Sequence, residues 1–173
     1  GYDFIHMFCL WAEDNTCIGG VLHILMDSEN VRNYNFVQGG KEAVEIIRLC
    51  LGPLKGADGG IDCIISDVLM PGIYGHMPLW WIRRSEHSPG RFVTVVMISD
   101  MVDHRCLRTA RDAGVNEFVA NPFSPDIIFK RIQRVIENPR QFAHTPTFLG
   151  RTGGAAKIMQ SRSAASSRIP IAR

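Results

Sequence analysis

Residues 61–72 decide the fold; they read Ile-Asp-Cys-Ile-Ile-Ser-Asp-Val-Leu-Met-Pro-Gly. The run Ile61–Ile65 is short and mostly apolar, which is typical of a strand buried on both faces of a parallel sheet. Two polar residues, Ser66 and Asp67, follow it directly. This pattern predicts a buried strand with a carboxylate at its carboxyl end.

Four further apolar runs have the length of a strand, and helical patterns separate them. The runs are Ile5–Ala12, Tyr34–Val37, Phe92–Ile98 and Glu117–Ala120. The helical stripes are Ile18, Val21, Leu22 and Leu25; Ala43, Ile46, Ile47 and Cys50; Met77, Trp80, Trp81 and Arg84; and, less cleanly, Cys106, Ala110 and Ala113. A fifth helix is predicted from its N-cap Ser124, with Pro125 at the first helical position, to about Glu137.

Strand and helix therefore alternate five times along the chain. Such alternation predicts right-handed crossovers and a doubly wound α/β domain, with a five-stranded parallel sheet covered by helices on both sides.

Composition agrees with a globular domain. The chain has 173 residues, of which 46% are hydrophobic and 21% charged, which excludes a fibrous or wholly disordered protein. The longest nearly apolar run, Phe4–Ala12, is about half of the ~20 residues that cross a bilayer. Five cysteines without a C-x-x-C pair argue against a disulfide framework or zinc site and fit a reducing cytoplasm.

The charge is divided unevenly along the chain. Residues 1–150 carry 14 basic and 17 acidic side chains, a net charge of −3, whereas residues 151–173 carry five basic side chains and no acid. A basic tail can attract nucleic acid or an acidic partner. The tail has only five charges and no aromatic residues among them, which gives little support for nucleic-acid binding. We therefore interpret the tail as a solvated or packing segment.

Polar residues follow four of the five predicted strands. They are Glu13-Asp14-Asn15, Ser66-Asp67, Ser99-Asp100 and Asn121-Pro122. Ligands of such sheets bind beyond the carboxyl ends of the strands, and carboxylates gathered there need a cation, for which Mg²⁺ suits oxygen ligands. Each acid alone could merely cap the helix that follows it; acids at the ends of adjacent strands favour a metal site.

These motifs resemble those of response regulator receiver domains, of the small stand-alone kind related to chemotaxis regulators. The matching segments are residues 13–15 for the acidic pair, 61–72 for the phosphoacceptor strand and its Met-Pro loop, Gly75, Ser99 for the hydroxyl residue, Phe118 for the switch aromatic, and 121–123 for the Lys-Pro-Phe signature. The resemblance covers about Phe8 to Glu137.

The resemblance implies a flavodoxin-like (βα)5 receiver fold and a signalling role in a two-component system rather than that of an enzyme. Asp67 would accept a phosphoryl group from a sensor histidine kinase or a phosphotransfer protein. Mg²⁺ would be held by Asp14, Asp67 and the backbone carbonyl of Leu69, with Glu13 acting largely through water. Ser99 would then hydrogen-bond the phosphoryl group.

Phe118 would follow Ser99 inward and change the surface made by the fourth helix, fifth strand and fifth helix, through a shift between pre-existing states. Two positions depart from the family pattern. Asn121 stands in place of the lysine, and Asp100 in place of a small residue. The site therefore loses one positive charge and gains a negative one, which predicts weak phosphorylation.

Two alternatives remain open at this point. One is an atypical, phosphate-independent receiver that acts as a scaffold or dimerisation module. The other is a phosphatase of the haloacid dehalogenase type, whose chemistry needs a second acid two residues after its nucleophile. Position 69 is Leu, so we rank the phosphatase hypothesis last.

The chain divides into a receiver domain, residues 1–138, and a basic extension, residues 139–173. Residues 138–150 resemble a C-terminal extension of some stand-alone receivers. The tail is predicted to rest on another surface, most simply through self-association as a homodimer. A cytoplasmic location and no membrane partner are expected.

Overall fold

Five parallel strands form the centre of the molecule. The computed structural model describes residues 4–51, 60–67, 77–84, 92–99, 103–120, 124–138, 142–145 and 148–151. The strands are β1 (Phe8–Ala12), β2 (Asn33–Val37), β3 (Cys63–Asp67), β4 (Thr94–Ser99) and β5 (Glu117–Ala120). They pair in parallel in the order β2-β1-β3-β4-β5, so the predicted doubly wound sheet is confirmed.

Five helices cover both faces of this sheet. They are α1 (Thr16–Ser28), α2 (Gly40–Leu51), α3 (Met77–Arg84), α4 (His104–Asp112) and α5 (Pro125–Glu137). Buried residues of α1 and α5 share one core cluster with β1, whereas those of α2, α3 and α4 belong to a second cluster. None of the helices in the described ranges is long and apolar enough to cross a membrane.

Strand alternation divides the core between the two faces. Cys9 and Trp11 of β1 belong to the cluster under α1 and α5, and Leu10 and Ala12 belong to the other. All four are at most 1% exposed. Burial on both faces explains why the strand residues read as continuous apolar runs.

Two cysteines face each other inside the sheet. Cys9 and Cys63 are direct partners between β1 and β3, and both are fully buried free thiols. The hydrogen bond with Cys9, and then burial, raise the pKa of Cys63 well above its ordinary value. A thiol that stays neutral packs as a small hydrophobic group, as the sequence predicts.

The predicted first strand is too long at its beginning. Phe4–His6 form a 3-10 turn, and β1 begins at Phe8. The ring of Phe4 is buried and meets that of Phe129 edge-on, with centroids 5.2 Å apart. The chain folds back to make that contact. The fourth strand likewise begins at Thr94, two residues after the exposed Phe92.

Two of the predicted helix stripes contain wrong residues. In α1, Val21 is 56% exposed, while Met26 is 1% exposed. In α3, the predicted stripe residue Arg84 is exposed, and the neighbouring Arg83 is buried. The predictions for α2 and α5 are confirmed: the buried residues include Ala43, Ile47, Ile128, Ile132 and Val135.

Arg83 ties α3 to the beginnings of two strands. Its guanidinium group donates to the carbonyl of Gly114 at 3.0 Å, to that of Val93 at 2.8 Å and to Oδ1 of Asn116 at 2.8 Å. The amide of Val95 donates to the same Asn116 oxygen at 2.9 Å. These bonds compensate the burial of a charged group that is 1% exposed, which would otherwise be costly.

A hairpin follows α5. Strands β6 (Phe142–Thr145) and β7 (Phe148–Arg151) pair antiparallel, and β7 lies beside α3 and α4. Because α5 packs on the other face of the sheet, residues after α5 return to the α3 and α4 side.

The two glycines inside α1 supply the first prediction. A Cβ at Gly20 would meet nothing within 4 Å, whereas one at Gly19 would lie 2.8 Å from Cζ of Phe36. Gly20→Ala should stabilise the protein by up to about 1 kcal/mol through helix propensity. Gly19→Ala must displace the ring and should be less stable than Gly20→Ala by about 1 kcal/mol or more. Urea unfolding measures both, and equal gains would contradict this packing.

Candidate metal centre

Three carboxylates converge at the carboxyl edge of the sheet. Glu13 and Asp14 follow β1, and Asp67 ends β3, the neighbouring strand. One oxygen from each lies within 4.8 Å of the others. The three acids that the sequence proposes as metal ligands thus lie together at this edge, and their role as ligands stays a prediction.

Hydrogen bonds fix the loop that carries Glu13. Its amide donates to the carbonyl of Val37 at 2.9 Å, and its Oε1 accepts from the amide of Asn15 at 2.9 Å. Asn15 is also the N-cap of α1, because its Oδ1 accepts from the amides of Cys17 and Ile18 at 3.0 and 3.4 Å. One residue thus orients the carboxylate and begins the helix.

The carboxyl group of Glu13 has a raised pKa. Burial raises the pKa of Glu13 from 4.5 to about 7, against the lowering effect of the Asn15 amide, and the neighbouring charges of Asp67 and Asp14 raise it further. Glu13 is 3% exposed. Without a cation, the Glu13 carboxyl group is therefore about half protonated near pH 7.

Ser99 and Phe118 lie on the strands beyond Asp67. Asp67 pairs with Ile98, so Ser99 is one residue further along the neighbouring strand β4; its side chain is buried at 1% exposure. Phe118 on β5 is half-buried and packs against the core cluster of α2, α3 and α4. The described residues thus put the hydroxyl group at the acidic edge and the aromatic ring on the α4 side.

Three predicted positions lie outside the described residues: Leu69, Asp100 and Asn121. Their roles remain predictions from the sequence. The same holds for Gly75 and for Pro122 and Phe123 of the family signature.

The donor set fits a hard divalent cation. Three carboxylates whose oxygens lie within 4.8 Å of one another match the oxygen ligands of Mg²⁺, which also keeps several waters. A cation between them would favour the ionised form of Glu13, against the burial and the neighbouring charges that raise its pKa.

Fold and site together define a doubly wound α/β domain with an acidic pocket at its strand ends. The response regulator receiver domain family matches residues 9–133. The chain therefore belongs to the response regulator receiver domains, and two-component signalling is the process this class of domain serves.

Two curated proteins are similar in sequence to this chain. The transcriptional regulatory protein ResD of Bacillus subtilis is 24% identical over 142 residues, which are 80% of this chain and 53% of ResD. The chemotaxis protein CheY of Pseudomonas aeruginosa is 28% identical over 79 residues, which are 46% of this chain and 62% of CheY. The chain thus matches between half and two thirds of the length of these relatives.

Solved structures share the fold. The chemotaxis protein CheY4 of Vibrio cholerae has a TM-score of 0.62 at 21% identity and covers 75% of this chain and 98% of its own. A co-crystal structure of the Saccharomyces cerevisiae phosphotransfer protein Ypd1 with the receiver domain of its downstream response regulator Ssk1 gives 0.62 at 24% identity, over 76% and 89% of the two chains.

The sequence analysis missed two features of the site's surroundings. One is the double role of Asn15, although an Asn directly before a helical stripe is an N-cap signal. The other is the apolar outer face of α1, where Ile24 is 73% exposed beside the exposed Val21. Because apolar residues occur on most sides of α1, their spacing does not indicate which of them face solvent.

The raised pKa of Glu13 predicts how the stability of the metal-free protein depends on pH. Since burial raises its pKa from an ordinary 4.5 to about 7 in the folded state, the folded protein binds the proton more tightly than the unfolded chain does. This contribution, no more than about 3 kcal/mol, is present below about pH 4.5 and is lost as pH rises through about 7.

Glu13→Gln should remove that dependence while keeping an oxygen for the Asn15 amide. Urea unfolding in EDTA at about pH 5 and about pH 8 measures it. The wild type should lose more stability than Glu13→Gln between these values; equal losses in both proteins would contradict the assignment to Glu13.

Proposed function

We propose that this domain accepts a phosphoryl group on Asp67 from a phosphohistidine of a sensor histidine kinase or phosphotransfer protein, with Mg²⁺, and signals by binding another protein. The observation that carries the proposal is the cluster of Glu13, Asp14 and Asp67 oxygens within 4.8 Å. It occurs in a chain that belongs to the receiver family.

Asp67 is the best phosphoacceptor of the three acids. It ends β3, the middle strand of the sheet, and is more exposed than Glu13. Glu13 is committed to the Asn15 amide and has a pKa near 7, so it is a poor nucleophile in the metal-free site. Asp14 is adjacent to both acids and suits metal binding.

The transfer needs a carboxylate oxygen and an in-line donor. An oxygen of Asp67 attacks the phosphorus atom, an O–P bond forms, and the P–N bond to the donor histidine breaks. The departing imidazole nitrogen keeps the electron pair of that bond. The product is an acyl phosphate on Asp67.

Glu13, Asp14 and Asp67 would hold the Mg²⁺, with the backbone carbonyl of Leu69 as a further ligand implied by the family. The bound ion supplies positive charge that offsets the phosphoryl oxygens. The protein's part is to keep the acids together, which it does with the Glu13 and Asn15 hydrogen bonds.

Ser99 and Phe118 would carry the signal away from Asp67. The Ser99 side chain is buried on the adjacent strand, one residue beyond the register partner of Asp67, and would hydrogen-bond the phosphoryl group. Phe118 of β5 is half-buried and packs against the core cluster of α2, α3 and α4. Movement of both side chains would shift the domain between two pre-existing states.

Two attributes of the chain belong to this proposal. The receiver unit would span residues 1–138, with the extension at 139–173, and the domain would work in the cytoplasm, where sensor kinases present their phosphohistidine.

Labelling with a small phosphodonor tests the chemistry. Purified protein incubated with acetyl phosphate should acquire one phosphoryl group that depends on Mg²⁺. Asp67→Asn should abolish it, because the amide is not a nucleophile. Asn121→Lys should increase it, because an ammonium group near a phosphoryl oxygen contributes up to about 4 kcal/mol. Label that persists in Asp67→Asn would contradict the assignment.

The outer face of α1 suits a phosphodonor protein. Cys17, Gly20, Val21 and Ile24 are all exposed, and none is charged. The helix begins at Asn15, which contacts Glu13. An apolar surface beside the phosphoacceptor gives a donor protein a place to bind with its histidine close to Asp67.

Ile24→Glu is therefore expected to separate docking from chemistry. Because Ile24 is 73% exposed, the fold should persist. Transfer from a phosphorylated phosphotransfer protein should slow by about tenfold or more, while labelling by acetyl phosphate stays unchanged. Lys41→Glu, on the exposed side of α2, is the control. Equal transfer rates for wild type and Ile24→Glu would exclude α1 as the docking face.

A further inference from the structure

Strand β2 forms one edge of the five-stranded sheet. Its only neighbour among the described strands is β1. The strand reads Asn-Tyr-Asn-Phe-Val and contains neither a charged residue nor a proline, which are the usual means of keeping an edge strand from pairing with another chain. The opposite edge strand, β5, begins instead with the charged Glu117, which pairs with Arg131 at 3.4 Å. The β2 edge is therefore the less protected of the two.

The backbone of β2 shows which groups are open to such pairing. The carbonyl of Val37 accepts from the amide of Glu13 at 2.9 Å, so the backbone groups of Val37 face β1. Successive residues of a strand direct their N–H and C=O groups to opposite sides. Asn35 therefore also faces β1, whereas the backbone groups of Tyr34 and Phe36 face away from the sheet.

The side chains of Tyr34 and Phe36 are held in place beside this edge. Both are half-buried and pack against the core cluster of α1 and α5. Nδ1 of His23 lies 2.9 Å from the Tyr34 hydroxyl, and the centroid of its ring lies 5.4 Å and 5.7 Å from those of Tyr34 and Phe36. Because the two rings are already ordered, using their exposed parts in a contact costs little further entropy.

The two ends of the edge carry opposite charges. Arg32 directly precedes β2 and is exposed, and it forms no ion pair with a carboxylate in the part of the chain that the structure describes. At the other end, the amide of Gln38 donates to Oε2 of Glu42 at 3.4 Å, which places a carboxylate there. A second β2 that runs antiparallel brings these opposite charges together, whereas a parallel one brings like charges together.

We propose that a second copy of this chain binds at this edge, with the two β2 strands antiparallel about a twofold axis at Asn35. Tyr34 then lies opposite the partner's Phe36, and the backbone groups of these two residues face each other. Arg32 lies at the end where the partner's Glu42 is placed. Pairing of one surface with itself is typical of twofold dimers, and aromatic cross-strand pairs stabilise sheets.

This dimer goes beyond the proposed function and uses a surface other than the basic extension, for which the sequence predicts self-association. Antiparallel copies turn the carboxyl edges of their sheets in opposite directions, so the two metal centres lie at opposite ends of the dimer. Pairing therefore does not require phosphorylation. Asp67→Asn should dimerise as wild type does, so a failure of labelling and a failure of dimerisation are separate results.

Cysteine cross-linking tests the register. In a Cys17→Ser background, which removes an exposed free thiol, Asn35→Cys places two thiols across the axis, where opposite Cα atoms lie about 4.5 Å apart. The matched control is Asn33→Cys, at another exposed position of β2, whose two copies lie about 13 Å apart along the strands. Under mild oxidation, Asn35→Cys should form the disulfide-linked dimer at least about tenfold faster than Asn33→Cys.

Sedimentation velocity tests the charges. Wild type should dimerise as its concentration rises. Arg32→Glu should raise the dissociation constant of the dimer by about tenfold or more, because it places an acid opposite each Glu42. Arg32→Glu/Glu42→Arg exchanges the two charges and should restore a dissociation constant within about threefold of wild type. Lys130→Glu makes the same charge change at an exposed position of α5 and should leave the dissociation constant unchanged.

Three outcomes would overturn the proposal. The first is a wild type that stays monomeric over the whole concentration series, which would leave the β2 edge to an extended segment of another protein. The second is equal cross-linking of Asn35→Cys and Asn33→Cys. The third is a dimer whose dissociation constant is the same in wild type and Arg32→Glu, which would assign self-association to another surface.

Discussion

The molecule depends on one topological constraint: parallel strands end at the same edge of the sheet. Strands β1 and β3 are neighbours, so the residues that follow them must lie close together, whatever their charge. Here those residues are Glu13, Asp14 and Asp67. The buried strands hold three acids in proximity, and the burial of Glu13, followed by the charges of Asp67 and Asp14, raises the pKa of its carboxyl group.

The sequence was informative about the fold because burial leaves a pattern that is local. Strands buried on both faces read as short apolar runs, and β5 was predicted at its observed bounds, Glu117–Ala120. The beginning of β1 could not be predicted in this way. Its position depends on Phe4 packing against Phe129, a contact between residues far apart in the chain.

The sequence indicates which acids lie close together at the strand ends, but it does not indicate how the pKa of Glu13 is shifted. Asp67 and the pair Glu13 and Asp14 follow strand-like runs, so topology alone brings them together. The pKa of Glu13 depends on how deeply the loop is buried and on the Asn15 amide, and neither has a periodic signature. In α3, periodicity favoured Arg84 over Arg83, because hydrophobic patterns carry no information about which guanidinium group finds buried acceptors.

The hydrogen bonds of Arg83 have a consequence for how sequences of this fold can vary. Two of the acceptors, at Gly114 and Val93, are main-chain carbonyls, which every residue type provides. Substitution at Val93 therefore leaves its acceptor in place, whereas Gly114 is restricted for a separate reason, its positive φ of 91°. Position 83 itself tolerates little, since Lys lacks the planar fork that reaches several acceptors at once. The loops around the buried guanidinium group can diverge while the residue at their centre stays fixed.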